Sequence, residues 1–421
     1  MKITLGWSLF VLLMFSAARA SAAENWPQWR GPAGNGVATR GDYPRKLSTE
    51  ENSAGLVWKV ALPGRGCSTP AVWEDRIFVT SAIDGHDGVV CYDFAGKEIW
   101  RQQFGIERPG KHTNGSGSNP SPVTDGQHLV VYYKSGTVAC LDLAGNVAWQ
   151  VNLQQKYGED KMWWDLASSP VLAADNAVIH VMNAGECYLV ALDLATGSVA
   201  WKQDRTYQTA LESDQGYCSP SVHRQGDKEV IVASGSDHVT SHDARTGEKL
   251  WECGGLNPNN DQMLRMIASP VVGGDAVVVP YARGNRLLKL QLDGSGDVTE
   301  SHKIWEQQTE GGDVPTPVVA EKRIMLLSDK GHVTCVDFAT GEPLWSADLP
   351  KSRNTYYASP VLAGDTLYCT REDGVLTACE VKEDGLTVVA ENNLGEQLIA
   401  TPIPIRGQLL VRGSEHLFLF R

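Results

Sequence analysis

Nine cysteines, ten histidines and an excess of carboxylates supply this 421-residue chain with groups for metal, thiol or acid–base chemistry. The spacing does not organise them into a familiar centre. His238 and His242 are four apart, but the residues around them alternate as a strand. Four residues of strand span about 13 Å, too far for two bonds of about 2 Å to one zinc. No His-Glu-x-x-His and no calcium loop of alternating Asp or Asn occurs. Asn257-Pro258-Asn259-Asn260-Asp261 is oxygen-rich but reads as a turn. Gly115-Ser116-Gly117-Ser118 lacks the spacing and the following helix of a dinucleotide loop, and no phosphate loop is present. No catalytic residue and no metal ligand is assigned.

Binding chemistry is better represented. Arg108, Lys111, His112 and Asn114 form one polar group, and Trp163, Trp164 and Asp165 a second. Arg205, Tyr207 and Tyr217, then Arg265, then Arg353, Tyr356 and Tyr357 follow at intervals. Each group precedes a Ser/Thr-Pro step, in a connection rather than a strand. Loops on a rigid frame are where binding function is usually placed. These residues are the candidate binding face, against the alternative that they only pack neighbouring loops.

The frame is a repeat. Ser68-Thr69-Pro70, Pro120-Ser121-Pro122, Ser168-Ser169-Pro170, Cys218-Ser219-Pro220, Ala268-Ser269-Pro270, Pro315-Thr316-Pro317, Ala358-Ser359-Pro360 and Ala400-Thr401-Pro402 each open a short apolar run. Their prolines are 52, 48, 50, 50, 47, 43 and 42 residues apart, a period that belongs to propellers, solenoids or arrays. A second fixed point follows in Asp93-Gly96-Trp100, Asp142-Gly145-Trp149, Asp193-Gly197-Trp201, Asp243-Gly247-Trp251 and Asp337-Gly341-Trp345. Asp accepts backbone N–H groups and Gly supplies positive φ, which is hairpin chemistry. Such a period holds four strands of about five residues with turns, and four-stranded sheets set radially make a propeller. The last repeat has room for three strands only, and Leu56-Val57-Trp58-Lys59-Val60 is an orphan strand ahead of the first. The expectation is an all-β, eight-bladed β-propeller of four-stranded antiparallel blades, with the N-terminal strand closing the last blade. The insertion Asp293–Asp297 and the Val388-Val389 pair, where Trp is due, read as local variation.

The remaining boundaries follow. Lys2, the apolar Leu5–Phe15 and the small residues of Ala18–Ala22 read as a signal peptide over 1–22. No cysteine there offers a lipid-attachment site, so the expectation is an exported, soluble periplasmic or extracellular protein without a mature transmembrane segment. Residues 23–55 form an extension and 56–421 one propeller domain. A net charge of −13 argues against nucleic acid and anionic membranes. Cys91, Cys140 and Cys335 each lie two residues before the repeat Asp, where Ala191 and Ser241 stand in other repeats. Such sites want a small buried residue. Cys67, Cys187, Cys218, Cys253, Cys369 and Cys379 are left open.

The segment Ala191-Leu192-Asp193-Leu194-Ala195-Thr196-Gly197-Ser198-Val199-Ala200-Trp201 resembles the tryptophan-docking repeat of pyrroloquinoline-quinone-type propellers. The resemblance spans about 56–421. Trp26-Pro27-Gln28-Trp29-Arg30-Gly31-Pro32-Ala33-Gly34-Asn35-Gly36 resembles the start of exported quinone-type propellers of planctomycete-like bacteria. The resemblance implies that Trp58, Trp100, Trp149, Trp201, Trp251, Trp305 and Trp345 dock blade on blade with their N–H groups satisfied. One branch of the family comprises quinone- and calcium-dependent alcohol dehydrogenases, which implies a disulfide of adjacent cysteines. No Cys-Cys pair and no Cys-x-x-Cys-His haem site exists here. Another branch is the propeller subunit of the outer-membrane β-barrel assembly machine, a scaffold. The expected function is therefore a non-catalytic scaffold binding a protein or small ligand, with no cofactor. Its alternatives are a dehydrogenase using pyrroloquinoline quinone (PQQ) and calcium, and a glycan-binding or glycan-processing propeller suggested by Trp163 and Trp164. The Trp26–Gly36 phrase is expected to fold back as a clip, with both tryptophans packed on the ring and Arg30 paired to an acidic surface group.

Overall fold

The computed structural model describes residues 24–38, 41–50, 53, 55–183 and 186–421; the signal segment 1–22 lies outside them. Eight small antiparallel sheets follow one another around a ring, each with four repeat strands. The chain is the eight-bladed propeller that the repeat predicts. The innermost strands, in blade order, are Ala71–Trp73, Val123–Thr124, Val171–Ala173, Ser221–Gln225, Val271–Gly273, Val318–Val319, Val361–Ala363 and Ile403–Ile405. The eighth blade takes its other C-terminal strands from Gln408–Arg412 and His416–Phe420, and its outer strand from Leu56–Ala61. Trp58 pairs with Leu419 across that antiparallel seam. The two ends of the chain thereby close the ring and remove its open edges.

Each repeat residue has a structural task. Thr69 N–H donates to Ser121 Oγ, Ser121 to Ser169, Ser169 to Ser219, Ser219 to Ser269, Ser269 to Thr316 and Thr316 to Ser359, at 2.8–3.0 Å. Thr401 N–H donates to Thr69 Oγ1 at 3.2 Å, back across the seam. The hydroxyls thus latch neighbouring blades around the axis, while each Pro starts the inner strand. Further out, six of the seven docking Trp donate to a carbonyl of the next blade. Trp58 reaches Phe94, Trp100 Leu143, Trp149 Leu194, Trp201 Ala244, Trp251 Leu292 and Trp305 Phe338. Gly96, Gly145, Gly197, Gly247 and Gly341 lie under five of these rings, so close that a Cβ would stand 2.5–2.8 Å from an indole atom. The repeat Gly therefore serves both the turn and the Trp.

Trp345 departs from the expectation, because its Nε1–H finds no partner. The next blade lacks the Asp-x-x-x-Gly turn there and turns through Lys382–Gly385 instead. The Asp293–Asp297 insertion has its own use: Gly296–Asp297 adds a fifth strand, parallel, beside Trp251 and Glu252 of the fourth blade. All nine cysteines are free thiols, eight of them buried. Cys91, Cys140 and Cys335 fill the small sites beside the repeat Asp, and burial pushes their thiols up to about 12, 12 and 11.

A chain ending at residue 398 loses three strands of the closing blade and exposes two sheet edges. It should unfold without a single cooperative transition when followed by circular dichroism against urea. A sharp transition like that of the full chain would show that closure does not govern the fold.

Candidate binding funnel

The axis of the ring is blocked at one end by the N-terminal phrase. Trp26 forms an antiparallel bridge with Val72 of the first blade, with N–H···O distances of 2.9 and 2.8 Å. Pro27 O accepts Thr124 N–H of the second blade. The chain then crosses the axis. Val319 N–H of the sixth blade donates to Asn35 O, and Val37–Ala38 adds a parallel strand to Val361–Ala363 of the seventh. Beyond that, Arg45 pairs with Asp365 at 2.5 Å and Leu47 N–H donates to Asn392 Oδ1 at 2.8 Å. The segment crosses the axis as a plug rather than running along the surface as a strap.

Its chemistry corrects one expectation. Arg30 meets no acidic surface group. It is 1 % exposed, and its two Nη atoms donate to Pro360 O and Pro317 O, each at 2.5 Å. The reason is the backbone. Arg30 and Gly31 both adopt positive φ, 68° and 82°, a turn that carries the side chain into the axis. Gly36 makes room for it, since a Cβ there would lie 2.1 Å from Arg30 Nη2. Gly31 does the same for Trp26, whose indole stands 2.9 Å from its virtual Cβ. Trp26 is buried and Trp29 half-buried.

Above the plug the channel opens as a blind funnel of about 540 Å³. Trp29 contributes to its floor, and all eight latch residues, from Thr69 round to Thr401, stand in its wall. Of the candidate residues, His112, Asn114, Trp164, Asp165, Tyr217 and Tyr357 come together there, with Lys111 beside them. Trp164 is held in place on several sides. The His112 ring packs at 4.2 Å between centroids, Arg265 lies 5.7 Å over the indole, and Tyr217 Oη accepts the Trp164 N–H at 3.2 Å. Arg265 is itself held by Glu212 at 2.6 Å. Asn114 ties the funnel wall across the ring, donating to Glu372 Oε2 and accepting from Gln397 Nε2.

Asp165 is the charged anchor of this wall. Its carboxylate pairs with the Nζ of buried Lys134 and accepts the N–H of Lys111 on both oxygens at 2.9 Å. His112 N–H adds a third donor at 3.3 Å. Gly115 is needed beside it, because a Cβ would meet Asp165 Oδ2 at 2.1 Å. Asp165 therefore positions the 108–115 connection, and its oxygens are already committed.

Other candidates lie away from the funnel. Arg108 donates to Gln154 Oε1 and Asp160 O. Arg205 is buried and donates to Thr240 Oγ1 and to the carbonyls of Gly235 and His238 in the fourth blade. Tyr207 stacks on His238 at 3.7 Å and donates to Glu252. Tyr356 is buried beneath Arg371. Arg353 stands exposed in the connection before the seventh blade, and Trp163 is exposed beside the funnel. Lys134 and Cys67 are funnel or wall residues that sequence reasoning missed. Lys134 follows a strand like any turn lysine, and its ammonium is taken up by the docked 108–115 and 160–165 connections, through Pro109 O and Asp165. Cys67 lines the funnel, its thiol pushed up by burial. Among the described residues, Glu396, Glu415 and His416 bring ligand atoms within 4.8 Å of one another. Glu396 already accepts the N–H groups of Glu415 and His416 and pairs with His416 Nδ1 at 2.6 Å.

Fold and plugged axis together define a propeller of the quinone-repeat type. The family model described as outer membrane protein assembly factor BamB matches residues 19–208, 85–252 and 188–388 in overlapping spans, and the chain belongs to that family. Among its relatives, BamB of Salmonella typhimurium is 23 % identical over 375 residues, covering 85 % of this chain and 86 % of that one. BamB of Burkholderia pseudomallei is 24 % identical over 350 residues, covering 79 % and 81 %. The solved BamB from Moraxella catarrhalis superposes with a TM-score of 0.63 at 16 % identity, covering 87 % of this chain and 97 % of that one. A europium-containing methanol dehydrogenase superposes at 0.72 with 12 % identity, covering 95 % and 98 %. These two structural likenesses establish the fold alone.

Two substitutions test the wall and the plug. Lys134→Met leaves a buried carboxylate without its cation and should cost about 3–5 kcal/mol; a urea-derived loss below about 1 kcal/mol would contradict the anchoring role. Trp26→Ala should cost about 3–5 kcal/mol and Trp29→Ala less, because Trp29 is half-buried. An unchanged melting temperature in the double variant would show that the plug is not part of the folded ring.

Proposed function

We propose that this chain is an exported, non-catalytic scaffold that binds a protein partner on the face around the funnel mouth. The observation that carries the reading is an apolar patch on three adjacent connections. Trp163, Leu211 and Met263 are 64 %, 73 % and 48 % exposed. Their loops are tied to one another, Trp163 N–H to Gln215 Oε1 and Glu212 N–H to Gln262 O. Large apolar side chains held out on ordered loops mark interaction sites, and a preordered surface loses little entropy on binding. Membership of the BamB family supports a protein partner, and the curated relatives named above carry outer membrane protein assembly in their names. The leader-like N-terminus supports export.

The quinone reading is disfavoured by donor chemistry. Calcium wants several free oxygen ligands, carboxylates foremost. Asp165 is the carboxylate of the funnel wall, and its oxygens are taken by Lys134, Lys111 and His112. No adjacent cysteine pair stands there, only Cys67. The residues present do not fit quinone with calcium, and no redox step is derived.

A photo-crosslinking residue placed in turn at 163, 211 and 263, in the native cell envelope, should yield the same discrete adduct. Placed at the exposed Ile304 and Leu344 of outer strands, it should yield none. Equal labelling at all five positions, or none at the first three, would remove the proposal. Reconstitution with PQQ and calcium over a panel of alcohols and sugars should give no turnover; saturable quinone uptake with dye reduction would restore the dehydrogenase reading. Thermal shifts with oligosaccharides would instead favour the glycan alternative.

A further inference from the structure

The plug leaves one part of the axis unfilled. It hydrogen-bonds the inner strands of the first, second, sixth and seventh blades, and a second cavity of about 140 Å³ remains against the third to fifth. Its wall includes Arg30, Gln28, Ser169, Ser219, Ser269 and Thr316. No Asp or Glu stands in that wall among the described residues. Trp29 lies between it and the funnel, and Ser169, Ser219, Ser269 and Thr316 line both.

Two kinds of unmet demand meet there. Arg30 is a fully buried cation that makes no ion pair, and its Nε–H has no partner. Its Nη atoms find only carbonyls. Buried charges are ordinarily paired, because desolvation of a lone ion is costly. Burial draws its pKa down to about 9, which leaves the guanidinium charged at neutral pH. The four hydroxyl oxygens each accept a neighbouring N–H in the latch, yet their own hydrogens reach no acceptor among the described residues. The site is also built at a conformational cost, since Arg30 is held at positive φ and Gly36 is emptied to admit its guanidinium.

We propose that this cavity binds a small anion, of the oxyanion or carboxylate class, held by Arg30 and by the hydroxyls of Ser169, Ser219, Ser269 and Thr316. One such ligand supplies both the counter-charge that Arg30 lacks and the acceptors that the hydroxyls lack. The site lies below Trp29 and is separate from the face proposed to dock protein, so either can fail without the other.

The test uses the full mature chain at constant ionic strength. Sodium phosphate, sulfate and acetate are titrated in a background of sodium chloride, whose anion is neither an oxyanion nor a carboxylate. Melting temperature and isothermal titration calorimetry are the readouts. Saturable binding of at least one of the three is expected over that background. Arg30→Met should weaken it by about tenfold or more, as loss of a charge-assisted contact implies. Ser219→Ala with Ser269→Ala leaves the plug residues unaltered, gives up two latch bonds and, read on protein that keeps its cooperative melting transition, should also weaken it, which covers the case in which Arg30→Met fails to fold. No saturable binding by the unaltered protein, or unchanged affinity in the paired serine variant, overturns the proposal and leaves the cavity to water.

Discussion

The structure rests on a circle of hydroxyls at its centre. Eight inner strands converge on one axis, and their first N–H groups would face each other with no ladder partner. At seven of the eight junctions the Ser/Thr before the Pro solves this by lending its side-chain oxygen to the preceding blade. A single bond of this kind contributes about 1 kcal/mol, but the bonds share a geometric role. Each sets the spacing of its neighbour, and the Thr401–Thr69 contact joins the end of the chain to its beginning. The outer Trp contacts repeat the same logic at larger radius, five of the indoles closing on the next blade's glycine.

A ring so built has a hole, and the hole is what the N-terminal phrase addresses. Inner-strand backbone that faces an open axis would be left to water. Residues 26–38 cover that backbone on four blades and seat Trp26 and Arg30 in spaces kept free by Gly31 and Gly36. The consequence is polarity. One mouth is filled, the other remains a funnel with an aromatic floor, and the loops around that mouth carry exposed Trp163, Leu211 and Met263. The two faces of a toroid with eight similar units thus become unlike.

Those loops are ordered largely by polar contacts. Asp165 with Lys134 and Arg265 with Glu212 stitch neighbouring connections, and Asn114 between Glu372 and Gln397 reaches the far side of the chain's seam. Buried pairs of this sort add little net stability but are costly to break, which suits them to specifying one loop arrangement. The same commitment of Asp165 to structure leaves the funnel poor in free carboxylate. The likeness to a methanol dehydrogenase, at 12 % identity, is one of architecture.

The architecture was legible because it is written repeatedly. Eight Ser/Thr-Pro steps, the Asp-x-x-x-Gly-x-x-x-Trp phrase and the unmatched strand at Trp58 determine blade number, hairpin turns and closure through local backbone and packing rules alone. The candidate face was legible only as a set of loops. Which members share a wall depended on how far each connection reaches over its neighbour. His112, Trp164, Tyr217 and Tyr357 converge on the funnel, whereas Arg205, Tyr207 and Tyr356 turn into blade packing. Arg30 shows the limit most clearly. A solvent-facing partner was the natural expectation for a charged residue in a polar segment. Only the tertiary course of the chain across the axis, set by two successive residues at positive φ, decided that this charge would be buried.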